Sequence, residues 1–186
     1  METFVSLLAR TAEALRQSNI PYMVIGGQAV LLHGEPRLTR DIDITLGIDI
    51  DSRDQIFGLA ERVGLRPIPP DSSEFIQKTS VLPTVHDESG IRVDFIFSFT
   101  TYEQQAIDRA VRVSLENIDV RFATAEDTII HKMFAGRPRD LEDVRGIVIR
   151  ADGLDRAYVS KWLAEFSKSV ERNLDKEFEE IVAKTN

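Results

Sequence analysis

A chain of 186 residues with 42% hydrophobic and 29% charged side chains has the make-up of an ordinary globular protein, long enough for one core with an appended helical part. Its 31 Asp and Glu against 23 Lys and Arg leave a net charge of -8, so the average surface repels phosphate polymers and bulk nonspecific DNA binding is not expected. There is no cysteine, which removes disulfides, thiolate zinc sites and thiol nucleophiles together. The first ten residues have too short an apolar run for a signal peptide and carry Glu2 where one requires positive charge, and no apolar stretch approaches membrane-spanning length. A cytoplasmic location without a membrane partner is expected.

In chain order, Phe4, Leu8, Ala12 and Leu15 recur at helical spacing, and Asn19 with Pro21 supplies the stop. A short buried strand over 22–25 ends at Gly26-Gly27, residues 28–33 read as a helix, and a polar loop covers 34–40. Ile42, Ile44 and Leu46 then alternate with Asp41, Asp43 and Thr45, the period of a strand with one apolar and one polar face. Both aspartates must point the same way. Ser52 and Gln55 suit a capping box for a helix burying Ile56, Leu59, Ala60 and Val63, with Gly64 placed to end it. Residues 66–73 are predicted as proline-rich loop, 74–85 as extended, and 87–90 as a turn into a strand over 91–97, where Phe95 and Phe97, with Phe99 beyond, read as core.

A helix over 102–109 and a hairpin with Glu116-Asn117 at its turn follow. Thr124 and Asp127 then resemble an N-terminal cap for a helix closed by Gly136, and Pro138 suits the first turn of the next helix. From Val159 through Trp162, Leu163, Phe166 and Val170 the spacing is again helical, and Leu174, Phe178 and Ile181 either continue that helix or form a second. Strands alternating with helices early, then helices alone, predict an α/β (α+β) fold: a short mixed sheet flanked by helices in residues 1–123, with a helical C-terminal segment in 124–186 packed on it.

Two aspartates at i and i+2 on a strand carry their carboxylates close enough together to share a cation. With Asp94 beside them three negative charges would meet, and two such charges about 4 Å apart repel by roughly 4 kcal/mol at an effective dielectric near 20. The conflict is relieved by a raised carboxyl pKa or by a divalent ion, and oxygen-only ligation suits Mg2+ or Mn2+. Taken alone, Asp41-Ile42-Asp43 is equally a solvated strand face. Gly26 and Gly27 sit where a strand meets a helix, so backbone can approach a phosphate there, although a glycine pair is also simply a tight turn. Neither the three-glycine dinucleotide pattern nor the lysine-bearing P-loop occurs. The three histidines are scattered without zinc-ligand spacing, and no Gly-x-Ser-x-Gly elbow exists.

Gly26-Gly27-Gln28-Ala29-Val30, then His33-Gly34, then Arg37-Leu38-Thr39-Arg40-Asp41-Ile42-Asp43-Ile44 resembles the glycine pair and paired-aspartate signature of the polymerase beta-like nucleotidyltransferases. Arg92-Val93-Asp94-Phe95 is similar to the later strand that supplies a third carboxylate. His131-Lys132-Met133 with Arg137-Pro138-Arg139-Asp140-Leu141-Glu142-Asp143 resembles the downstream lysine and Arg-x-(Lys/Arg)-Asp-x-x-Asp segment. Within the superfamily the chain looks like the minimal prokaryotic members, including nucleotidyltransferases of abortive-infection type IV toxin systems. The second glycine of the pair is often serine in that family.

The resemblance implies transfer of a nucleoside monophosphate from a nucleoside triphosphate to a hydroxyl-bearing acceptor, whether RNA or tRNA, protein or small molecule, with release of pyrophosphate. It implies Asp41, Asp43 and Asp94 as catalytic metal ligands for Mg2+ (or Mn2+), and Gly26, Gly27, Arg40, Lys132 and Asp140 as nucleotide-binding. Other readings stand beside these. Lys132 also reads as a surface lysine, Arg37 and Arg40 as salt-bridge partners, and Arg137, Arg139 and Asp140 as a charged first turn. The whole chain also reads as a catalytically silent nucleotide binder or antitoxin-like partner; the length of its C-terminal apolar stripe suits a homodimer as well as core packing, and the resemblance to toxin systems implies a toxin-antitoxin partner as the other choice.

Overall fold

The computed structural model describes residues 3–39, 41–98 and 100–185, so the expectations for Arg40 and Phe99 lie outside the described residues. The chain divides into two compact units, one formed by Met1–Ile25 with Thr39–Phe122 and the other by Gly26–Leu38 with Ala123–Asn186.

The first unit is built on one mixed sheet of seven strands in the order β3-β4-β5-β2-β1-β7-β6. Its strands are β1 (Tyr22–Ile25), β2 (Asp41–Leu46), β3 (Leu65–Pro67), β4 (Val81–His86), β5 (Arg92–Phe97), β6 (Val111–Leu115) and β7 (Ile118–Phe122), and its helices are α1 (Phe4–Gln17), α3 (Arg53–Arg62), α4 (Ser72–Thr79) and α5 (Thr101–Arg109). Strands β2 and β5 run parallel, as do β1 and β7, and the other pairings are antiparallel. Alternation decides which side is buried. Ile42, Ile44 and Leu46 of β2 and Val93, Phe95 and Phe97 of β5 enter the core with Leu7, Leu8, Ala12 and Leu15 of α1 and with Ile56, Leu59 and Ala60 of α3. The intervening residues, Asp41, Asp43 and Asp94 among them, emerge on the opposite face of the sheet, where those three are half-buried.

Three local expectations are corrected. Residues 72–79 are not extended but form α4: the Asp71 side chain accepts from the Glu74 amide at 2.9 Å, Glu74 pairs with Lys78, and Ser80 ends the helix at a φ of 57°. Only Ile76 of that helix is buried, so the apolar period is nearly invisible in the residue order. Within the expected loop, β3 pairs with β4 as a three-residue edge strand, a position where Pro67 is tolerated. The capping box of Ser52 and Gln55 does not form. A 3-10 turn over Ile50–Ser52, capped by the Asp49 carboxylate at 3.0 Å, precedes α3, and Ser52 makes no side-chain cap bond.

The second unit is helical: α2 (Gly26–His33), α6 (Ala125–Ala135), α7 (Pro138–Arg150), α8 (Arg156–Ser167) and α9 (Leu174–Thr185). The C-terminal apolar stripe is thus two helices. Residues 26–38, assigned to the sheet part by chain order in a division at 123/124, belong with the helices. Their link is concrete, since Ala29 and Val30 are buried and the His33 Nε2–H donates to the Ala123 carbonyl at 2.8 Å. Thr124 caps α6, its hydroxyl accepting from the Asp127 amide at 3.1 Å, and Tyr158 Oη donates to the fully buried Asp127 carboxylate at 2.8 Å. Among the described residues no helix is long and apolar enough to cross a membrane.

The central packing position of the sheet is Phe95, with no solvent exposure. Phe95→Ala should lower unfolding free energy by about 3–5 kcal/mol in chemical denaturation. A loss below about 1 kcal/mol would contradict the packing described.

Candidate active site

The polar face of the sheet places the three predicted carboxylates on adjacent strands. In the parallel β2/β5 pairing Asp43 stands directly opposite Asp94 and Asp41 opposite Arg92, while on the other flank of β2 the partner of Asp43 is Ile25. Residues directly opposite in a ladder have Cβ atoms about 5 Å apart, so the register brings residues 51 positions apart in the chain within reach of a common ion.

Asp94 carries the clearest electrostatic signature. Its Oδ1 is buried without a hydrogen-bond partner among the described residues, and the Arg92 guanidinium lies 3.6 Å away, beyond hydrogen-bond length. Burial pushes the Asp94 carboxyl above its ordinary range, the Arg92 charge opposes that shift, and the negative charge of Asp41 adds to it. Two residues beyond Asp43, on the same face, the buried Thr45 hydroxyl also lacks a partner.

An oxygen-only donor set, an orphaned carboxylate oxygen and a shared face fit a hard divalent cation. Among the described residues, however, no three carboxylate or imidazole groups stand close enough together to cage an ion without side-chain rotation. Arg92 and Thr45 received no role from the sequence, although strand alternation was a signal for both. Arg92 is the register partner of Asp41, and Thr45 continues the Asp41-Asp43 row.

Of the other predicted residues, Gly26, Gly27, Lys132 and Asp140 belong to the helical unit. Gly26 begins α2 with a φ of 64°, a conformation suited to glycine, and Gly27 is buried behind it. Lys132 is not a surface lysine. It is 7% exposed and its ammonium lies 2.7 Å from Asp140 Oδ1 and 2.9 Å from Asp143 Oδ2. Arg37 grips Asp143 through two bonds of 2.9 Å, so Arg37 takes its salt-bridge reading, and Arg137 Nε donates to Asp140 at 2.6 Å. Burial pushes the Asp140 carboxyl up, but hydrogen bonds from Arg137 and Lys132 outweigh it and hold the group below its ordinary value. Lys132, Asp140 and Asp143 therefore tie α6 to α7, and Arg37 extends the tie to the loop after α2. Arg139 borders a cavity of about 510 Å3 with Glu35 and Glu142 in the same unit.

Residues 2–185 match the family model described as nucleotidyltransferase of unknown function (DUF6036). The chain belongs to this nucleotidyltransferase family. It is thereby a minimal member of the polymerase beta-like group. Solved nucleotidyltransferase structures share the fold. The antibiotic-resistance factor ANT(2'')-Ia is 17% identical, with 89% of this chain and 91% of that one covered at a TM-score of 0.61. An antigenic nucleotidyltransferase-like protein from Paracoccidioides brasiliensis is 15% identical, covering 94% and 91% at a TM-score of 0.58. The lincosamide adenylyltransferase LnuA is 16% identical, covering 73% and 90% at a TM-score of 0.50. No curated protein sequence matches the chain.

Two predictions follow from these charges. An acid whose pKa is raised by folding stabilises the fold below its unfolded pKa, and that contribution is lost as pH rises through the folded value. Asp94→Asn should therefore raise the melting temperature of the protein in chelator at pH 7, with the gain shrinking in acid; a lower melting temperature at pH 7 would contradict the upward shift that burial imposes on this carboxyl. Lys132→Met leaves two buried carboxylates short of a cation and should cost about 3–5 kcal/mol of stability in denaturant titration, against little change if the tie is not structural.

Proposed function

We propose that this nucleotidyltransferase moves a nucleoside monophosphate from a nucleoside triphosphate to a hydroxyl of an acceptor. The bond from the acceptor oxygen to the α-phosphorus forms, the bond from that phosphorus to the bridging oxygen breaks, and pyrophosphate leaves. The observation that carries the proposal is the alignment of Asp43 with Asp94 across β2 and β5, with Asp41 on the same face.

Asp41, Asp43 and Asp94 would hold Mg2+ or Mn2+. Bound there, the ions would supply charge neutralisation of the triphosphate and a lowered pKa of the attacking hydroxyl. The side chains of the site do the rest. Asp94, with an orphaned oxygen and a raised pKa, is suited to accept the acceptor's proton as it is lost. Arg92, opposite Asp41, supplies fixed positive charge at the end of the carboxylate row.

The chain leaves the sheet at Ile25, the partner of Asp43, and Gly26 is the next residue, which supports assigning the Gly26-Gly27 backbone to phosphate. Arg40, immediately before Asp41, is assigned to the nucleotide on its place in the chain. For Lys132 and Asp140, the buried pair supports a role in holding a nucleotide-binding surface in shape, with any phosphate contact made by Lys132 as a third interaction. The acceptor belongs to one of three classes: RNA, protein or small molecule.

The test is transfer of label. Folded protein with Mg2+, each α-labelled triphosphate and in turn tRNA, protein and small-molecule acceptors should label one class. The small molecules include tobramycin, whose adenylyl-2'' form has been seen with ANT(2'')-Ia, and lincomycin, seen bound to LnuA. Asp43→Asn should reduce that transfer at least about a hundredfold while leaving the fold intact. Absence of transfer from all four triphosphates by folded protein, or full activity of Asp43→Asn, would overturn the proposal.

A further inference from the structure

The sheet unit contains a cavity of about 450 Å3 bounded by the end of α1, the start of β1, the end of α5 and the β6–β7 hairpin. That volume lies in the range of roughly 300–1,000 Å3 typical of small-ligand pockets. It belongs to the opposite end of β1 from the carboxylates: Tyr22 lines it, and Ile25, three residues and about 10 Å along the strand, is the partner of Asp43.

The charges around the cavity are arranged against the ordinary rules of sheet pairing. Arg112 of β6 and Arg121 of β7 are direct register partners and both line it. Like charges directly opposite destabilise a hairpin unless something between them compensates. Neither arginine is neutralised. Among the described residues Arg112 makes no hydrogen bond or ion pair, and Arg121 donates through NH2 to the Ile107 carbonyl while its Nε is buried without an acceptor. A buried donor left without an acceptor is costly, and an acceptor entering the cavity beside it would relieve that cost. A third arginine on the rim, Arg16, is held by Glu13 in an exposed pair that is easily exchanged. Asp108 and Asp119 also border the cavity, and neither is paired with an arginine among the described residues. They temper the positive charge without cancelling it. Tyr22 and Ile107 add apolar wall.

We propose that this cavity is a binding site for a small phosphorylated molecule, its phosphate gripped between Arg112 and Arg121 and its organic part laid against Tyr22 and Ile107. A dianion placed between two guanidinium groups turns their repulsion into paired charge-assisted hydrogen bonds. The cavity lies toward the other end of β1 from the carboxylates and does not rest on the reaction proposed above.

The experiment titrates the full chain, in excess chelator so that no divalent ion assists phosphate elsewhere, with inorganic phosphate and with phenyl phosphate. Binding is read by calorimetry and by the arginine Nε signals in NMR. Phenyl phosphate should bind saturably and more tightly than inorganic phosphate, with the largest shifts at Arg112 and Arg121. Arg112→Ala should weaken it at least about tenfold. Asp119→Asn, which removes an opposing charge from an exposed strand position, should tighten it by about threefold, a gain that loss of structure does not produce. No saturable binding, binding unchanged by Arg112→Ala, or shifts confined to other residues would overturn the site. Equal affinity for the two probes would overturn the organic part of the assignment.

Discussion

The constraint on which the rest of this structure depends is the parallel register of β2 and β5, which sets Asp43 against Asp94 on one face of the sheet while Ile42, Ile44, Val93 and Phe95 enter the core from the other. Slipping β2 by one residue against β5 would turn Ile42 and Ile44 outward and sink Asp41 and Asp43 in the core. The hydrophobic face therefore enforces the electrostatic one. Stability of the core under α1 and α3 keeps Asp43 opposite Asp94 with Asp41 on the same face, and the orphaned oxygen of Asp94 is the local cost.

The helical unit answers a different problem. Its cluster of Lys132, Asp140, Asp143, Arg37 and Arg137 balances buried charges internally, each carboxylate meeting two cations. Such a network contributes less to net stability than an apolar core of the same size, but it fixes the relative placement of α6, α7 and the loop after α2 with directional bonds. The residues that resemble a nucleotide-binding segment are, in this chain, also the ones that tie those elements to each other.

Much of the fold was readable from residue order because alternation and caps are local. The Asp41-Ile42-Asp43-Ile44 row, the Thr124 cap, the Gly136 stop and the Pro138 start each follow from a few neighbouring residues. What escaped was decided by tertiary contact or by weak periodicity. Helix α4 buries one side chain, β3 exists through pairing with β4, and the attachment of residues 26–38 to the helical unit depends on buried side chains of α2 and on a bond from His33 to a carbonyl 90 positions away. For the site, the spacing of Asp41 and Asp43 required one shared face, but their alignment with Asp94 needed the sheet order. That Lys132 meets a pair of carboxylates was not legible in the sequence, where a lysine flanking an apolar stripe reads as a surface residue.

The central claim is that the carboxylates of β2 and β5 together form a divalent-cation site. Its most direct measurement is a crystal structure with Mn2+ and a non-hydrolysable nucleoside triphosphate, read by anomalous scattering. The account predicts a manganese peak bonded to oxygens of Asp41, Asp43 and Asp94, with the triphosphate against it. A triphosphate bound with manganese at some other group of residues, leaving Asp43 and Asp94 without metal, would contradict it.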